Sequence, residues 1–450
     1  MLDGLTRPLG SEPPGTPPQR GFIEPAHERQ LKGILLLAET IGKKVLGVDD
    51  PLDADIERTP EREQKVRAAL QSMARGGKLK FGNVSAQTVL DLVMAELFGL
   101  GPLERFIRED SISEIMVNGP YVIFIERDGN MVESGHKFVD DEHVVRIIGR
   151  IVRPLGRSVG PKNPLVDARL PDGSRVNAAV SPLTLDGPSV TIRKFSRKKL
   201  RLRDLVRHNA LSEDMKEFLK ALVRGRQNIV VSGGTGSGKT TLINALGDYV
   251  RPEERMVTIE DAAELNFDQR NVVRLESKKP TVEDPVEVTI RDCVVNALRM
   301  RPERIIIGEC RSAEAFDMLQ AMNTGHDGSM TTVHSNSPRD AIGRLETLTM
   351  MSGVNLPLDV VRRQIASAIN FVVQTQRMRD GSRRVTHITE VQGMEGNIVT
   401  LGDIFVWDES APAPRGAKGG GRHVATGNRP RCLEELERYG ERLPNTMFRR

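Results

Sequence analysis

The chain has 450 residues, of which 38% are hydrophobic and 28% charged, so it is long enough for two or three domains with separate cores. Its formal net charge of +4 is small for this length and does not by itself indicate a polyanionic partner. The cysteines Cys293, Cys310 and Cys432 lie far apart, which argues against a disulfide framework and against a structural zinc site.

The first hundred residues combine a leader with helical patterns. Residues 1–26 are rich in proline and glycine, a composition that predicts a disordered leader. In residues 27–108 apolar side chains recur at helical spacing, which predicts a small helical bundle. One expected helix follows an N-cap at Ser85, and another covers residues 59–75, with Thr59 as N-cap and Pro60 at the first helical position.

Two features bear on membranes and secretion. No apolar run approaches the ~18 residues that a membrane-spanning helix needs. The chain opens without the basic, apolar and small-residue pattern of a secretory signal. A cytosolic location is therefore expected.

Residues 109–207 predict a mixed α+β domain. Short β-like runs occur at 114–118 and 122–126, and the second is followed by a turn sequence at 127–130. The segment 193–207 carries eight Lys or Arg residues against one acid, Asp204, and indicates a linker or a domain edge.

From residue 208 to residue 408, strands and helices alternate in the manner of an α/β domain with a largely parallel sheet. Beyond it, residues 409–450 are rich in proline and glycine and contain a short helical patch at 433–439. We expect a C-terminal tail there.

The strongest signal is the segment 228–241, an apolar strand that runs into Gly-x-x-x-x-Gly-Lys-Thr and then a helix. In such a loop the backbone N–H groups converge on phosphate oxygens, and the helix N-terminus favours an anion. Lys239 is expected to reach the β- and γ-phosphates of a nucleoside triphosphate, and the Thr240 hydroxyl to bind Mg²⁺. The expected nucleotide-binding residues are Gly233, Gly234, Thr235, Gly236, Ser237, Gly238, Lys239, Thr240 and Thr241.

Hydrolysis also needs an acidic centre, and two apolar strands downstream end in acids. The first leads to Glu260 and Glu264, and the second to Glu309. An acid at the carboxyl end of a parallel strand points into the crevice where ligands bind. The alternative is that these are solvated charges at strand ends. Glu309 lacks the preceding Asp that is common in such strands.

Two histidines, His326 and His334, lie in a segment rich in Gly and Thr. On one extended strand they would be ~26 Å apart, at about 3.3 Å per residue, so a shared metal would require Gly325 and Gly328 to fold the segment back. A sensor of the γ-phosphate is one interpretation, and a purely structural role is the other.

With these four segments in this order, the chain resembles the secretion ATPases of type II and type IV systems. The resemblance extends upstream to 101–104, 115–119 and 167–177 and downstream to 387–390 and 402–405, and it covers about residues 85–408. It implies an α/β fold in which a RecA-like P-loop NTPase domain follows a smaller α+β domain and an N-terminal helical bundle.

The resemblance also implies roles for individual residues. Lys239 and Thr240 match the Walker A positions, and Glu309 matches the Walker B glutamate, with Thr240 and Glu309 as the residues at Mg²⁺. The acid box is matched by Glu260 and Glu264, and the histidine box by His326 and His334. Arginines of the N-terminal domain reach the phosphates in this family, sometimes those of a neighbouring subunit, and the matching candidates are Arg169, Arg175 and Arg193. Ordinary surface arginines are the alternative.

Within the family the chain looks most like the CpaF-type ATPases of tight-adherence (Flp) pilus assembly, because Ala262 stands where retraction and type II motors usually have Pro. It also lacks the four-cysteine zinc motif of type II motors. Cys310 and Met330 depart from the usual aliphatic residues, which affects only the expected packing behind the acid and histidine boxes. The implied machine is a homohexamer that converts ATP hydrolysis into motion of an inner-membrane platform protein, and it is peripheral to that membrane.

Two other classes remain open. A nucleic-acid translocating ATPase is suggested by the basic segment 194–207, but that segment has one stacking aromatic, Phe195, and aromatics make up only 4% of the chain, so no direct nucleic-acid partner is expected. A small-molecule kinase or a nucleotide-gated regulatory module is the other, because a phosphate loop alone does not identify the phosphate acceptor.

Overall fold

The computed structural model describes residues 25–77, 84–195, 199–280, 285–412 and 420–450. It divides into two compact units, Met1–Arg197 and Lys198–Arg450. The predicted leader lies, apart from its last two residues, outside the described residues, as do residues 413–419 of the predicted tail and 196–198 of the basic segment.

The first unit begins with helices and continues with strands. Its helices are α1 (Pro25–Ile41), α2 (Pro60–Arg75), α3 (Ala86–Phe98), α4 (Glu104–Arg108) and α5 (Asp141–Val152), and its strands are β1 (Ile112–Asn118), β2 (Ile123–Arg127), β3 (Asn130–Glu133), β4 (Leu165–Arg169), β5 (Arg175–Ala179) and β6 (Ser189–Arg193). As predicted, Thr59 and Ser85 cap α2 and α3, because their hydroxyls accept hydrogen bonds from the backbone of Arg62 and Thr88. Helices α1 to α3 share an apolar core that includes Leu70.

The strands of the first unit form an antiparallel sheet in the order β3-β2-β1-β6-β5-β4. Val117 and Ile192 share its core with Val144 and Ile148 of α5. The predicted turn at 127–130 joins β2 to β3, with left-handed backbone at Asp128 and Gly129.

The second unit contains the phosphate loop. Its helices are α6 (Leu202–Arg207), α7 (Glu213–Arg224), α8 (Lys239–Gly247), α9 (Ile290–Ala297), α10 (Glu314–Asn323), α11 (Pro338–Met350), α12 (Leu358–Ala368) and α13 (Leu433–Arg438), and its strands are β7 (Ile229–Gly233), β8 (Met256–Glu260), β9 (Val272–Glu276), β10 (Arg304–Cys310), β11 (Met330–Val333), β12 (Phe371–Arg377), β13 (Arg383–Glu395), β14 (Ile398–Asp408) and β15 (Arg422–Ala425).

The strands of the second unit form one mixed sheet in the order β15-β14-β13-β12-β7-β11-β10-β8-β9. The run from β12 to β9 is parallel, and β13, β14 and β15 extend it by antiparallel pairing. Two apolar clusters lie against the sheet, one including Phe218 and Leu246 and the other including Leu319 and Ile365. This confirms the α/β fold predicted from the sequence, with a phosphate loop that follows a strand inside a parallel sheet, as in RecA-like P-loop domains.

Two boundaries differ from those expected. Helix α6 lies inside the predicted α+β domain 109–207, but Leu202 is fully buried in the core of the second unit, which begins at Lys198. The expected tail is partly built into the same unit, because β15 pairs with β14, and Leu436 and Phe448 are buried in its core. A segment whose composition alone predicts a loop becomes ordered when its apolar side chains pack against a folded surface.

Two features of the described residues concern membranes and metals. No single helix there is both long and apolar enough to cross a membrane, and a pair that meets the length and composition requirements together, Ala86–Phe98 with Gly101–Arg108, is bent by 118°. The described residues also contain no group of three or more His, Cys, Asp or Glu side chains placed to hold a metal ion.

Candidate nucleotide site

The phosphate loop connects the buried strand β7 to helix α8. Gly236 and Gly238 have φ angles of 68° and 100°, a left-handed backbone that favours glycine. At Gly233 the reason for glycine is proximity, since an added Cβ would lie 2.4 Å from the backbone oxygen of Thr375. An added Cβ at Gly234 would meet nothing within 4 Å, so this part of the loop is open to a ligand.

Lys239 is the first residue of α8 and lies against the loop. Its ammonium group donates hydrogen bonds of 2.9 Å to the carbonyl oxygens of both Gly233 and Gly234. Burial lowers the pKa of Lys239, and the nearby carboxylates of Glu309 and Glu264 oppose that shift. The lysine of the loop and the acids of two other strands are therefore close enough to interact electrostatically.

The two acids after β8 have different positions. Glu260 is buried, and its Oε1 accepts hydrogen bonds from the backbone N–H groups of Glu264 and Leu265, at 2.7 and 2.8 Å. Glu264 is half-buried and accepts a hydrogen bond of 3.3 Å from the Thr240 hydroxyl. Glu260 thus holds the backbone that presents Glu264 to the phosphate loop.

Burial raises the pKa of Glu260, against the lowering effect of its two backbone hydrogen bonds. The other carboxylate oxygen, Oε2, is buried without a hydrogen-bond partner among the described residues. Gly308 on the neighbouring strand provides the space, since an added Cβ there would lie 2.9 Å from Cγ of Glu260.

Glu309 lies near the carboxyl end of β10, next to β8 and β11 in the parallel sheet. Its side chain is 26% exposed and accepts a hydrogen bond of 2.8 Å from Arg311. Arg311 also lies 3.6 Å from Asp261, so it connects the acidic ends of β8 and β10. This hydrogen bond to Glu309 raises the pKa of Arg311.

The two histidines lie at opposite ends of strand β11. His334 follows β11, where Val333 pairs with Ser232 of β7, so it emerges exposed at the edge that carries the phosphate loop. His326 precedes β11, and its ring forms a hydrogen bond of 3.1 Å with the carbonyl oxygen of Ala321. The buried strand β11 therefore separates the two histidines, whose catalytic roles stay predictions.

The three arginines selected in the first unit form a row across its sheet. Arg169 pairs with Arg175, and Arg175 pairs with Arg193, in antiparallel register. Directly opposed residues of antiparallel strands share a face, so the three side chains lie on one face at one edge. Arg193 also donates a 2.7 Å hydrogen bond to Glu114 of β1.

One group of residues at the loop was missed by the sequence analysis. Strand β12 runs parallel to β7, with Thr375 opposite Gly233, and Thr375 forms a hydrogen bond of 2.9 Å with the Ser237 hydroxyl. Two residues further, Arg377 pairs with Arg383 of β13, and Arg383 donates a hydrogen bond of 2.9 Å to the Gly236 carbonyl. The available signal was an apolar strand that ends in a turn flanked by basic residues.

The donor set fits a magnesium nucleotide. Mg²⁺ in nucleotide sites usually takes one or two protein oxygens, and phosphates and water complete its shell. The Thr240 hydroxyl and the Glu264 carboxylate adjoin each other beside Lys239, and Glu309 contributes a further carboxylate near that lysine. The site therefore combines glycines and an ammonium group that can bind phosphates with oxygen atoms that can bind Mg²⁺.

A protein-family model and several known proteins are similar to this chain. The model of the family described as type II/IV secretion system protein matches residues 96–400. A putative conjugal transfer protein of Mycobacterium tuberculosis is 32% identical over 332 residues, which cover 72% of this chain and 93% of that protein. The type IV secretion system protein PtlH of Bordetella pertussis is 37% identical over 315 residues, covering 64% of this chain and 92% of PtlH.

Among solved structures, the VirB11 ATPase of the Brucella suis type IV secretion system, crystallised with sulphate, is 28% identical. The match covers 64% of this chain and 94% of that one, with a TM-score of 0.35.

Proposed function

The chain belongs to the type II/IV secretion system protein family, and on that premise we propose that it is an ATP-hydrolysing motor that powers pilus assembly or protein secretion. The observation that carries the proposal is the pair of acids near the phosphate loop: Glu264 accepts a hydrogen bond of 3.3 Å from Thr240, and the carboxylates of Glu309 and Glu264 act electrostatically on the pKa of Lys239. A phosphate loop that only bound nucleotide would not need two carboxylates beside its lysine.

We assign the phosphate-binding step to the loop itself. The backbone N–H groups from Gly234 to Thr241 and the ammonium group of Lys239 bind the phosphate oxygens of ATP. We assign Thr240 and Glu309 to Mg²⁺, which when bound neutralises part of the charge on the β- and γ-phosphates. Lys239 and the helix α8 dipole add positive potential on the protein side.

The acids have separate roles in this proposal. Glu309 orients the attacking water and accepts its proton, and Arg311 fixes the Glu309 carboxylate through their 2.8 Å hydrogen bond. Glu264 orients the Thr240 hydroxyl. Glu260 is a positioning residue, because its contacts are to the backbone of the loop that carries Glu264.

His334 is the γ-phosphate sensor of the proposal. It stands exposed at the edge that carries the phosphate loop, and the next residue, Ser335, accepts a hydrogen bond of 3.2 Å from Gln374 of β12. We give His326 a structural role, since its contact is with the carbonyl of Ala321 at the other edge.

We propose that Arg169, Arg175 and Arg193 complete the site of a neighbouring subunit. Their register supports this, because it places three arginines on one face of the sheet. An arginine that offsets charge in the transition state is worth ~10³ to 10⁵ in rate. The proposed assembly is a closed ring, a homohexamer.

A subunit-mixing experiment tests the ring. Lys239→Ala and Arg175→Ala are each expected to be inactive alone. In an equal mixture that exchanges subunits, about a quarter of the sites would combine an intact loop with an intact arginine from the neighbour, and activity would return to that extent. No recovery after verified subunit exchange would contradict arginine action between subunits.

We further propose a CpaF-type role in tight-adherence pilus assembly, supported by Ala262 in the acid box. The partner in that role is an inner-membrane platform protein, and the motor acts in the cytoplasm, peripheral to the membrane. The test is ATP hydrolysis by the purified protein with and without DNA. Hydrolysis to free phosphate that DNA leaves unchanged supports the motor, and strong stimulation by DNA at low salt would transfer the proposal to a nucleic-acid translocating ATPase.

A further inference from the structure

Strands β12 and β13 and the turn between them form a hairpin, called here the basic hairpin, whose tip lies against the outside of the phosphate loop. Arg377, Arg379 and Arg383 are exposed along this tip. Two of them, Arg377 and Arg383, are direct cross-strand neighbours. Their register places two guanidinium groups side by side at the phosphate loop.

The hairpin is fixed to the loop by hydrogen bonds on both of its strands. From β12, Thr375 bonds to the hydroxyl of Ser237, at 2.9 Å, and to the carbonyl oxygen of Ser232, at 3.1 Å. From β13, Arg383 donates to the carbonyl oxygen of Gly236, at 2.9 Å. These hydrogen bonds fix the hairpin against the loop, so Arg377 and Arg383 lie next to the loop.

The same geometry places both guanidinium groups close to the loop backbone. Cδ of Arg383 lies 3.5 Å from the position of an added Cβ at Gly238, and Nη1 of Arg377 lies 3.8 Å from that position at Gly236. In a trans peptide the carbonyl and the following N–H point in opposite directions. Because Arg383 holds the Gly236 carbonyl on the hairpin side, it keeps that oxygen away from the side on which the loop N–H groups bind an anion.

We propose that Arg377 and Arg383 of the basic hairpin are part of the nucleotide site, with Arg383 as a positioning residue of the phosphate loop and with the two arginines together raising its affinity for the polyphosphate of ATP and ADP. The inference rests on the proposed function, since it adds residues to that site. It concerns binding more than turnover, because both arginines act on the loop, whereas Glu309 lies on another strand.

The test measures dissociation constants of fluorescently labelled ATP and ADP for Arg383→Gln, Arg383→Lys and Arg377→Gln, together with KM and kcat. Gln can still donate a hydrogen bond to the Gly236 carbonyl but carries no charge, and Lys keeps the charge. We expect Arg383→Gln to weaken both nucleotides about tenfold, with a rise in KM and with kcat nearly unchanged. Arg377→Gln should have a smaller effect of the same kind, and Arg383→Lys should recover most of the affinity.

Arg379→Gln is the matched control, since Arg379 is an exposed arginine on the same turn. It should bind both nucleotides like the unmodified protein. Unchanged affinity in Arg383→Gln and Arg377→Gln, or an equal loss in Arg379→Gln, would overturn the proposal. Binding of ADP is measured independently of hydrolysis, so a protein that binds nucleotide without hydrolysing ATP would contradict the proposed motor and leave the hairpin to be judged on affinity alone.

Discussion

In the second unit, charged side chains lie both where the parallel strands begin, called here the amino edge, and where they end, called the carboxyl edge. An ion pair is buried at the first, whereas accessible charge remains at the second. At the amino edge Arg304 is fully buried and donates two hydrogen bonds to Glu254, at 2.6 and 3.0 Å, and a third to the Gly328 carbonyl. At the carboxyl edge Glu309 and His334 are at least partly exposed. Charge that is buried and fully paired supports the fold, and charge that remains accessible beside a phosphate loop is available for chemistry.

The pKa values express the same contrast. Burial would raise the pKa of Glu254, but the hydrogen bonds from Arg304 overcome it and the pKa is lowered. At the carboxyl edge burial prevails at Lys239, whose pKa is lowered, and at Glu260, whose pKa is raised. The hydrogen bonds at the amino edge therefore favour the charged form of Glu254, whereas burial at the carboxyl edge disfavours the charged forms of Lys239 and Glu260.

The largest expected effect is at the carboxyl edge. Lys239→Ala removes the ammonium group that we propose binds the phosphates, so ATP hydrolysis should fall roughly a thousandfold or more. Thermal unfolding should be little changed, because the hydrogen bonds of the half-buried ammonium group go to two loop carbonyls. Steady-state hydrolysis and a melting curve on the same sample check both statements, and residual activity close to that of the unmodified protein would remove Lys239 from the site.

The converse is expected at the amino edge. Arg304→Ala removes both hydrogen bonds from Arg304 to the buried Glu254 and leaves it the longer ion pair with Arg226, at 3.6 Å, so it should cost about 3 to 5 kcal/mol of unfolding free energy. The KM for ATP of the molecules that remain folded should be unchanged. The double variant Arg304→Met with Glu254→Leu is the control, since removing both charges should restore most of the stability. If Arg304→Ala were as stable as the unmodified protein, the Arg304–Glu254 pair would not stabilise the fold.

Glu309→Gln separates binding from turnover. It keeps the size of the side chain and a hydrogen bond with Arg311 but cannot accept the proton of the attacking water. Turnover should fall about a hundredfold or more, while the affinity for ATP stays within a factor of about two. Normal turnover by this variant would refute the role of Glu309, and equilibrium binding beside steady-state kinetics decides the matter.

The two histidines provide a smaller comparison within one segment. His334→Ala should lower kcat about tenfold, because it removes a group at the edge that carries the phosphate loop. His326→Ala should leave kcat within a factor of about two, since its ring contacts the Ala321 carbonyl at the other edge. Equal losses in the two variants would mean that the edges are not functionally distinct.

The smallest effect concerns Glu260. Its pKa in the folded protein is raised above the ordinary value of 4.5, so the folded state binds more protons, and stability falls as the pH rises from below 4.5 through the raised value. Glu260→Gln cannot ionise, and its amide oxygen can still accept from the backbone of Glu264 and Leu265. We expect it to be more stable than the unmodified protein at neutral pH, by about 1 kcal/mol, with the difference vanishing below pH 4.5. Denaturant titrations at several pH values measure this, and a pH-independent difference would contradict the assignment.

The sequence could predict the features that depend on residues close together in the chain. The phosphate loop at 233–240 and the helix caps Thr59 and Ser85 follow from residue types within a few positions. Strand ends with acids placed Glu260, Glu264 and Glu309 at one edge, because parallel strands present their carboxyl ends together.

What the sequence could not predict depends on pairing between distant segments. Arg383 reaches Gly236 only because β12 lies beside β7, and the two residues are separated by 147 positions. His326 and His334 are close in sequence and apart in space, because β11 is buried between them. The burial of Leu202 and Leu436 in the second unit likewise depends on a packed surface that local composition does not reveal.

The central claim is that this chain hydrolyses ATP as an assembled ring whose sites are completed between subunits. We would measure ATP hydrolysis by the purified protein over a range of its own concentration, beside light scattering for mass, with Lys239→Ala as the blank. The account predicts a specific activity that rises as a species of hexameric mass forms. Activity from a monomer that is independent of concentration would contradict it.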